Sequence, residues 1–272
     1  MNKVAPIYEV RIAQVGSFGK VPGAEIFWMS RFEEWCPLVL LMGVIRGGGK
    51  TIVINSGPPQ SFLPFMNEVW RTEFDERVQM TVTEEQKTRN VLKALGVKPE
   101  EVDYVIITPL QAYSIGNVDL FPNAKICLSK NGWIDFHAPK HFDSRRKMAI
   151  PDHILTYLVL DAWNAGRVHL LENEETLLPG IHTWFAGTHH RSSMGINIQT
   201  EKGTVVFSDI MFYYDNIKND HPIGIMESLY ECRESYTRIR KEADIIVPLY
   251  DPAVLTRHPD GYISHGRKKR VK

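Results

Sequence analysis

Asp103-Tyr104-Val105-Ile106-Ile107-Thr108-Pro109-Leu110-Gln111-Ala112-Tyr113-Ser114-Ile115-Gly116-Asn117 decides how this chain folds. Val105, Ile106 and Ile107 are a short run of β-branched apolar residues, the pattern of a buried strand. The residues after them carry amide, phenol and hydroxyl groups, so the strand delivers a polar loop to the rim of a sheet. Upstream, Thr83-Glu84-Glu85-Gln86 has the spacing of a helix-capping box. Val91, Leu92 and Leu95 then form a helical apolar stripe that stops at Gly96. Helix, short loop and strand in that order predict an α/β protein.

The chain has 272 residues, 43% of them hydrophobic and 24% charged, which is enough apolar material for a substantial core and excludes disordered and fibrous classes. Lys+Arg and Asp+Glu both total 32, so no net field draws the chain to nucleic acid or to an anionic membrane. The dense charge of Arg267-Lys268-Lys269-Arg270 reads as a solvated chain end. Cys36, Cys127 and Cys232 are far apart and form no CxxC pair, which suits buried thiols in a reducing compartment. The first residues show no leader pattern, and the apolar run over 37–44 is too short to span a bilayer. The expectation is one cytoplasmic domain over residues 1–272, with no nucleic-acid or membrane partner.

Outward from the central strand, Ile7 to Val15 alternates as a strand, and the glycines of Gly16 to Gly23 are expected to break it. Ala24 to Trp35 is aromatic without a clean period, an entrance loop in which Trp28 either meets substrate or packs inside the domain. Leu38 to Ile45 and Thr51 to Ile54 predict a hairpin across Arg46-Gly47-Gly48-Gly49-Lys50. Its Gly-Lys-Thr ending is not a phosphate loop, because Val44 stands where the first glycine belongs and a strand follows. Trp133 to Tyr157 is expected to be an irregular surface or lid segment, with Pro139 arguing against a helix that would align His137 and His141. Val168 to Leu171, Ile181 to Phe185, Gly195 to Thr200, Thr204 to Phe207 and Ala243 to Pro248 predict further strands. Ile225, Met226, Leu229, Cys232, Tyr236 and Ile239 recur at helical spacing.

These landmarks, in order, resemble the metallo-β-lactamase superfamily, in its lactonase-like (N-acyl homoserine lactonase-like) branch. Val102 to Thr108 matches its motif strand, Phe121-Pro122-Asn123-Ala124 its next strand start, and Ala186 to Met194 its GxHxxG loop. Ser208-Asp209 and Tyr213-Tyr214 fall in a SDxxxYYxN run. The resemblance covers about residues 38 to 260 and implies an α/β four-layer αββα sandwich and, by analogy, a homodimer. It also implies a dinuclear zinc site of five histidines and two aspartates. Here Pro109 and Gln111 fall on the first two histidines, Tyr113 on the aspartate, Ser114 on the next histidine and Tyr250 on the last. His189 and Asp209 keep their residue type, and Asn55 replaces the usual acid of an Asp-x-Gly turn. Two good ligands hold zinc poorly against water, so the zinc pair, and any other cofactor, is expected to be absent.

Three functions stay open for such a site. One is a metal-independent enzyme acting on a small lactone, ester, amide or activated aromatic, or a lyase or isomerase. In it His189 is a base oriented by Asp209, Tyr113 and Tyr250 donate hydrogen bonds, and Ser114 is a nucleophile or binds substrate. Gln111, His190, Arg191, Tyr213, Tyr214, Asn55 and Trp28 are then candidate substrate contacts in a pocket expected to be polar. A second is a catalytically silent binder of a small molecule or partner. A third is a hydrolase with one metal held by His189, Asp209 and His190 or Tyr250.

Overall fold

In the computed structural model of the chain, residues 5–140 and 150–266 are described. The strands are β1 (Glu9–Pro22), β2 (Trp35–Gly47), β3 (Lys50–Ile54), β4 (Val78–Thr81), β5 (Tyr104–Ile106), β6 (Lys125–Ser129), β7 (Val168–Leu171), β8 (Glu174–Leu178), β9 (Ile181–Phe185), β10 (Met194–Thr200), β11 (Gly203–Ser208), β12 (Ile245–Pro248) and β13 (Tyr262–Ser264). They form two sheets. One runs β13-β1-β2-β3-β5-β6-β7 with β4 added on β1, and the other runs β12-β11-β10-β9-β8. The central strand β5 lies parallel to β3 and β6, with Ile106 beside Ile54 and Cys127. Neighbours on both edges and cover on both faces explain why it carries no polar alternation.

The sheets pack face to face. Ile45, Ile54 and Ile106 of the first and Ile196, Ile198 and Phe207 of the second belong to one buried cluster. A Cβ on Gly43 would stand 3.3 Å from the Phe207 ring, so a missing side chain sets the approach of the sheets there. On the far face of the second sheet, Trp184 and Val206 pack against Cys232, Tyr236 and Ile239 of the helix Leu229–Glu242. Ser228 caps that helix by accepting from the Glu231 N–H. Burying Tyr236 and Ile239 contributes on the order of 2 kcal/mol each. With helices outside both sheets, the architecture is the expected αββα sandwich.

Three local expectations are corrected. The glycines after Val15 do not end β1. The strand continues to Pro22, and the glycines sit at register shifts between Gln14 and Gly16 and between Ser17 and Gly19. Glycine in a strand marks such bulges, and Gly19 takes φ +69°. The capping box closes a turn, not a helix: Thr83 N–H donates to Gln86, its hydroxyl goes to Glu85, and the helix Thr88–Ala94 starts later. The expected irregular segment is helical on both sides, with Lys130–His137 ending before Pro139 and Asp152–Thr156 running into a π-helical turn, Tyr157–Ala162. His141 and the basic tail lie outside the described residues. All three cysteines are buried and free. Among the described residues, no helix is long and apolar enough to cross a membrane.

Candidate active site

The loops that leave β3, β5 and β11 meet at one end of the sandwich, and a chain of buried side chains ties them together. Asn55, at φ +60°, accepts from Thr108 N–H through its side-chain oxygen and donates its amide to the Thr108 carbonyl, both at 2.9 Å. An aspartate could only accept, so the amide makes a bond that an acid at this position could not. The Thr108 hydroxyl in turn donates to Asp209 Oδ1 at 2.5 Å and accepts from Met194 N–H at 2.9 Å. Ser193 donates to Asp209 Oδ2 at 2.5 Å, and His189 Nδ1 lies 3.1 Å from the same oxygen. Asp209 is fully buried. Three donors sharing one carboxylate offset the cost of that burial.

His189 sits on a loop anchored from several sides. Leu110 N–H donates to Ser192, Glu227 N–H to the Thr188 carbonyl, and Thr188 N–H to Glu231. Arg191 bridges Glu227 and Glu231 with short ion pairs that hold its guanidinium well above its usual pKa, and Glu231 below the usual carboxylate range. Ser192 packs where a Cβ on Gly132 would fall, 2.3 Å from the serine Cβ. The loop therefore rests on the helix Lys130–His137 with no room for a side chain between them. Because Asp209 is an acceptor, Nδ1 of His189 carries the proton and Nε2 is left with a lone pair; this tautomer is assigned from the bonding pattern.

Beside His189 opens a cavity of about 120 Å³ with a mostly apolar wall. Phe18 meets Trp70 and Tyr113 with ring centres 5.0 and 5.1 Å apart, and Phe212 meets Tyr250 at 5.0 Å and His189 at 4.9 Å. Such tilted and edge-on pairs are the favourable geometry for aromatic rings. Tyr250 is 3% exposed, and its hydroxyl has no hydrogen-bond partner among the described residues. Burial pushes the Tyr250 pKa well above the usual phenol value, and the adjacent Tyr113 phenol and Asp209 carboxylate act the same way. Tyr250 therefore stays protonated and remains a donor.

Five of the site residues expected from sequence share this cavity: His189, His190, Gln111, Tyr113 and Tyr250, with Asp209 behind His189. The others do not line it. Ser114 is buried in the short helix Ala112–Ile115, where its carbonyl accepts from the Ser56 amide and hydroxyl. Asn55 is spent on Thr108 and Arg191 on its two glutamates. Tyr213 donates to the Pro37 carbonyl at 2.5 Å, Tyr214 stacks under Arg257, and Trp28 is partly exposed, its carbonyl accepting from His221. The expected polar pocket is mainly aromatic. Sequence reasoning missed Thr108 and Ser193, whose hydroxyls hold Asp209, and Phe18, Trp70 and Phe212, which build the wall. Ser193 lay in the motif loop with no feature marking its partner.

The residues do not fit a dinuclear zinc centre. Proline offers no donor, Ser114 lies outside the cavity, and three donors already share the two oxygens of Asp209. Among the described residues, no group of three His, Cys, Asp or Glu side chains converges.

The arrangement of sheets and helices makes this a metallo-β-lactamase-fold protein. Within that fold its likeness is to the lactonase-like members. No family model matches the chain. An N-acyl homoserine lactonase of Bacillus thuringiensis is 21% identical over 200 residues, 72% of this chain and 74% of that protein. One of Agrobacterium fabrum is 28% identical over 135 residues, 46% of each chain. A crystal structure of a quorum-quenching N-acyl homoserine lactone lactonase superposes with a TM-score of 0.74 at 17% identity, covering 97% of this chain and 100% of that one. An N-acyl homoserine lactone hydrolase with N-hexanoyl-L-homoserine at its catalytic metal centre superposes with a TM-score of 0.75 at 18% identity, covering 94% and 99%. A dizinc quorum-quenching lactonase superposes with a TM-score of 0.65 at 13% identity, covering 98% and 93%.

Proposed function

We propose that the chain is a metal-independent enzyme of hydrolase type acting on a small lactone, ester, amide or activated aromatic compound. The relatives' names supply the reaction class. The observation that carries it is His189, oriented by buried Asp209, on the wall of a cavity that also holds the unpartnered Tyr250 hydroxyl. In hydrolysis, His189 Nε2 takes a proton from water as the water oxygen bonds to the substrate carbonyl carbon. Tyr250, with Tyr113 beside it, donates to the oxygen on which negative charge develops. The bond to the leaving oxygen or nitrogen then breaks, and His189 returns the proton to it. Gln111 and His190 orient the substrate. The same base and donor would serve an isomerase or lyase by removing a proton next to a carbonyl. The proposal includes one cytoplasmic domain that works as a homodimer.

The test is turnover across a panel of lactones, esters and amides before and after exhaustive chelation, with metal content measured. Wild-type turnover survives chelation, and His189→Ala lowers it at least ~100-fold, the usual contribution of a positioned base, in protein whose folding is checked by its melting temperature. Turnover that is lost on chelation and restored by zinc would overturn metal independence, and an active His189→Ala would remove the base. The mostly apolar wall favours one second reading, a catalytically silent binder. That protein would gain stability from ligands and form no product.

A further inference from the structure

We infer that Glu231, in the first turn of the helix Leu229–Glu242, is a positioning residue for His189 and acts through the strained backbone turn that precedes the histidine. This rests on the reaction proposed above and adds to it a residue that does not line the cavity. The backbone is the first reason. His189 N–H donates to the Gly187 carbonyl at 2.8 Å and closes a three-residue turn around Thr188, which has φ +66°. A three-residue turn with a left-handed centre is rare and strained, and a β-branched side chain there is a further cost. Such a conformation persists only where its surroundings over-determine it. The turn sets the direction in which the His189 side chain leaves the backbone, so a relaxed Thr188 would swing the imidazole away from Asp209.

The contacts around the turn are the second reason. Glu231 Oε2 accepts from Thr188 N–H at 3.2 Å, and Glu227 N–H donates to the Thr188 carbonyl at 2.6 Å. The peptides on both sides of the strained residue are therefore pinned from one segment. The same Glu231 carboxylate accepts from Arg191 Nη1 at 3.0 Å, so it grips the loop before and after the imidazole. A Cβ on Gly187 would stand 2.5 Å from Glu231 Oε2. Glycine at 187 thus lets the carboxylate come close to the backbone. The carboxylate is itself fixed at its base, because Ser228 accepts from Glu231 N–H and Ser235, one turn on, donates to the Ala186 carbonyl at 3.0 Å.

The test compares wild type, Glu231→Ala, Glu231→Gln and Glu231→Asp, with Ile239→Val as a control that loosens the same helix away from the loop. Two readouts are used: kcat and KM on the best substrate of the panel, and the long-range ¹H–¹⁵N NMR spectrum of the histidine rings. His189 is assigned by its loss in His189→Ala. Wild type should show His189 protonated at Nδ1 alone. Glu231→Ala is expected to lower kcat about 10- to 100-fold, the scale of a ~1 Å misplacement made away from the chemistry, with KM nearly unchanged. Its His189 ring should show a mixture of tautomers. Glu231→Gln, whose amide oxygen can still accept from Thr188 N–H, should restore the wild-type ring signals and most of kcat. Ile239→Val should change neither. Wild-type ring signals in Glu231→Ala, or the same losses in Ile239→Val, overturn the inference. Should Glu231→Ala not fold, Glu231→Asp, one methylene shorter, is read in its place, and wild-type signals there overturn the inference equally. If His189→Ala remains active, the proposed reaction fails, and the ring spectra alone decide whether Glu231 positions His189.

Discussion

Asp209 and Tyr250 lie at the same end of the sandwich and are both buried, yet their polar atoms are treated in opposite ways. The carboxylate meets two hydroxyls and an imidazole drawn from Thr108, Ser193 and His189. The phenol, whose ring packs on Phe212 and Tyr113, meets none among the described residues. A group satisfied from within holds the scaffold, whereas one left unsatisfied on a cavity wall awaits something from outside. Hydroxyls and an amide now hold the carboxylate and the strand ends where they stand.

The largest expected effect is on the satisfied side. Asp209→Ala strands the donors of Thr108, Ser193 and His189 and should lower unfolding stability by about 3 to 5 kcal/mol, as for breaking other buried charge networks. Urea unfolding checks this, and a loss below about 1 kcal/mol would break the contrast. Loss of turnover in Asp209 variants must therefore be read together with their stability. Thr108→Val removes one donor to Asp209 and the acceptor for Met194 N–H. The expected cost is about 1 to 3 kcal/mol in the same assay.

Arg191→Lys loses the fork that joins Glu227 and Glu231, a change of about 1 kcal/mol for a partly exposed cluster. Its sharper readout is hydrogen exchange, which should quicken over residues 187–193 and nowhere else. Tyr250→Phe sits at the other extreme. Removing an unpartnered buried hydroxyl should leave stability unchanged or raise it by up to about 1 kcal/mol. A marked loss would mean that the hydroxyl has a partner after all.

The smallest difference between variant and wild type is on the alkaline limb. Burial raises the phenol pKa of Tyr8, Tyr213, Tyr236 and Tyr250, and pushes Tyr214 up to about 12. These phenols keep their protons in the folded state at pH values where the unfolded chain has already lost them. Their contribution is fully present below the unfolded value near 10 and is lost as pH rises from there through the raised folded values. Urea midpoints measured from pH 9 to 11 should fall, and less steeply in Tyr250→Phe.

Local patterns made most of the fold legible. The apolar run at 105–107, the hairpin at 38–54 and the stripe from Cys232 to Ile239 each announce their element, because hydrophobic periodicity acts over a few residues. Glycines 16 and 19 misled for the same reason. A bulge and a strand end look alike until the partners β2 and β4 are known. That Pro109, Gln111, Tyr113, Ser114 and Tyr250 fall on ligand positions is what the resemblance implies.

Sequence by itself thus determined the order of strands and helices, and that His189 and Asp209 each follow a predicted strand. Tertiary structure alone decided which side chains share the cavity, that its wall is aromatic, and what holds Asp209. The reason is distance along the chain. Asn55 pairs with Thr108 53 residues away, and Thr108 with Asp209 101 residues away. The first bond depends on β3 and β5 lying side by side and the second on how the two sheets pack, and no local spacing encodes either.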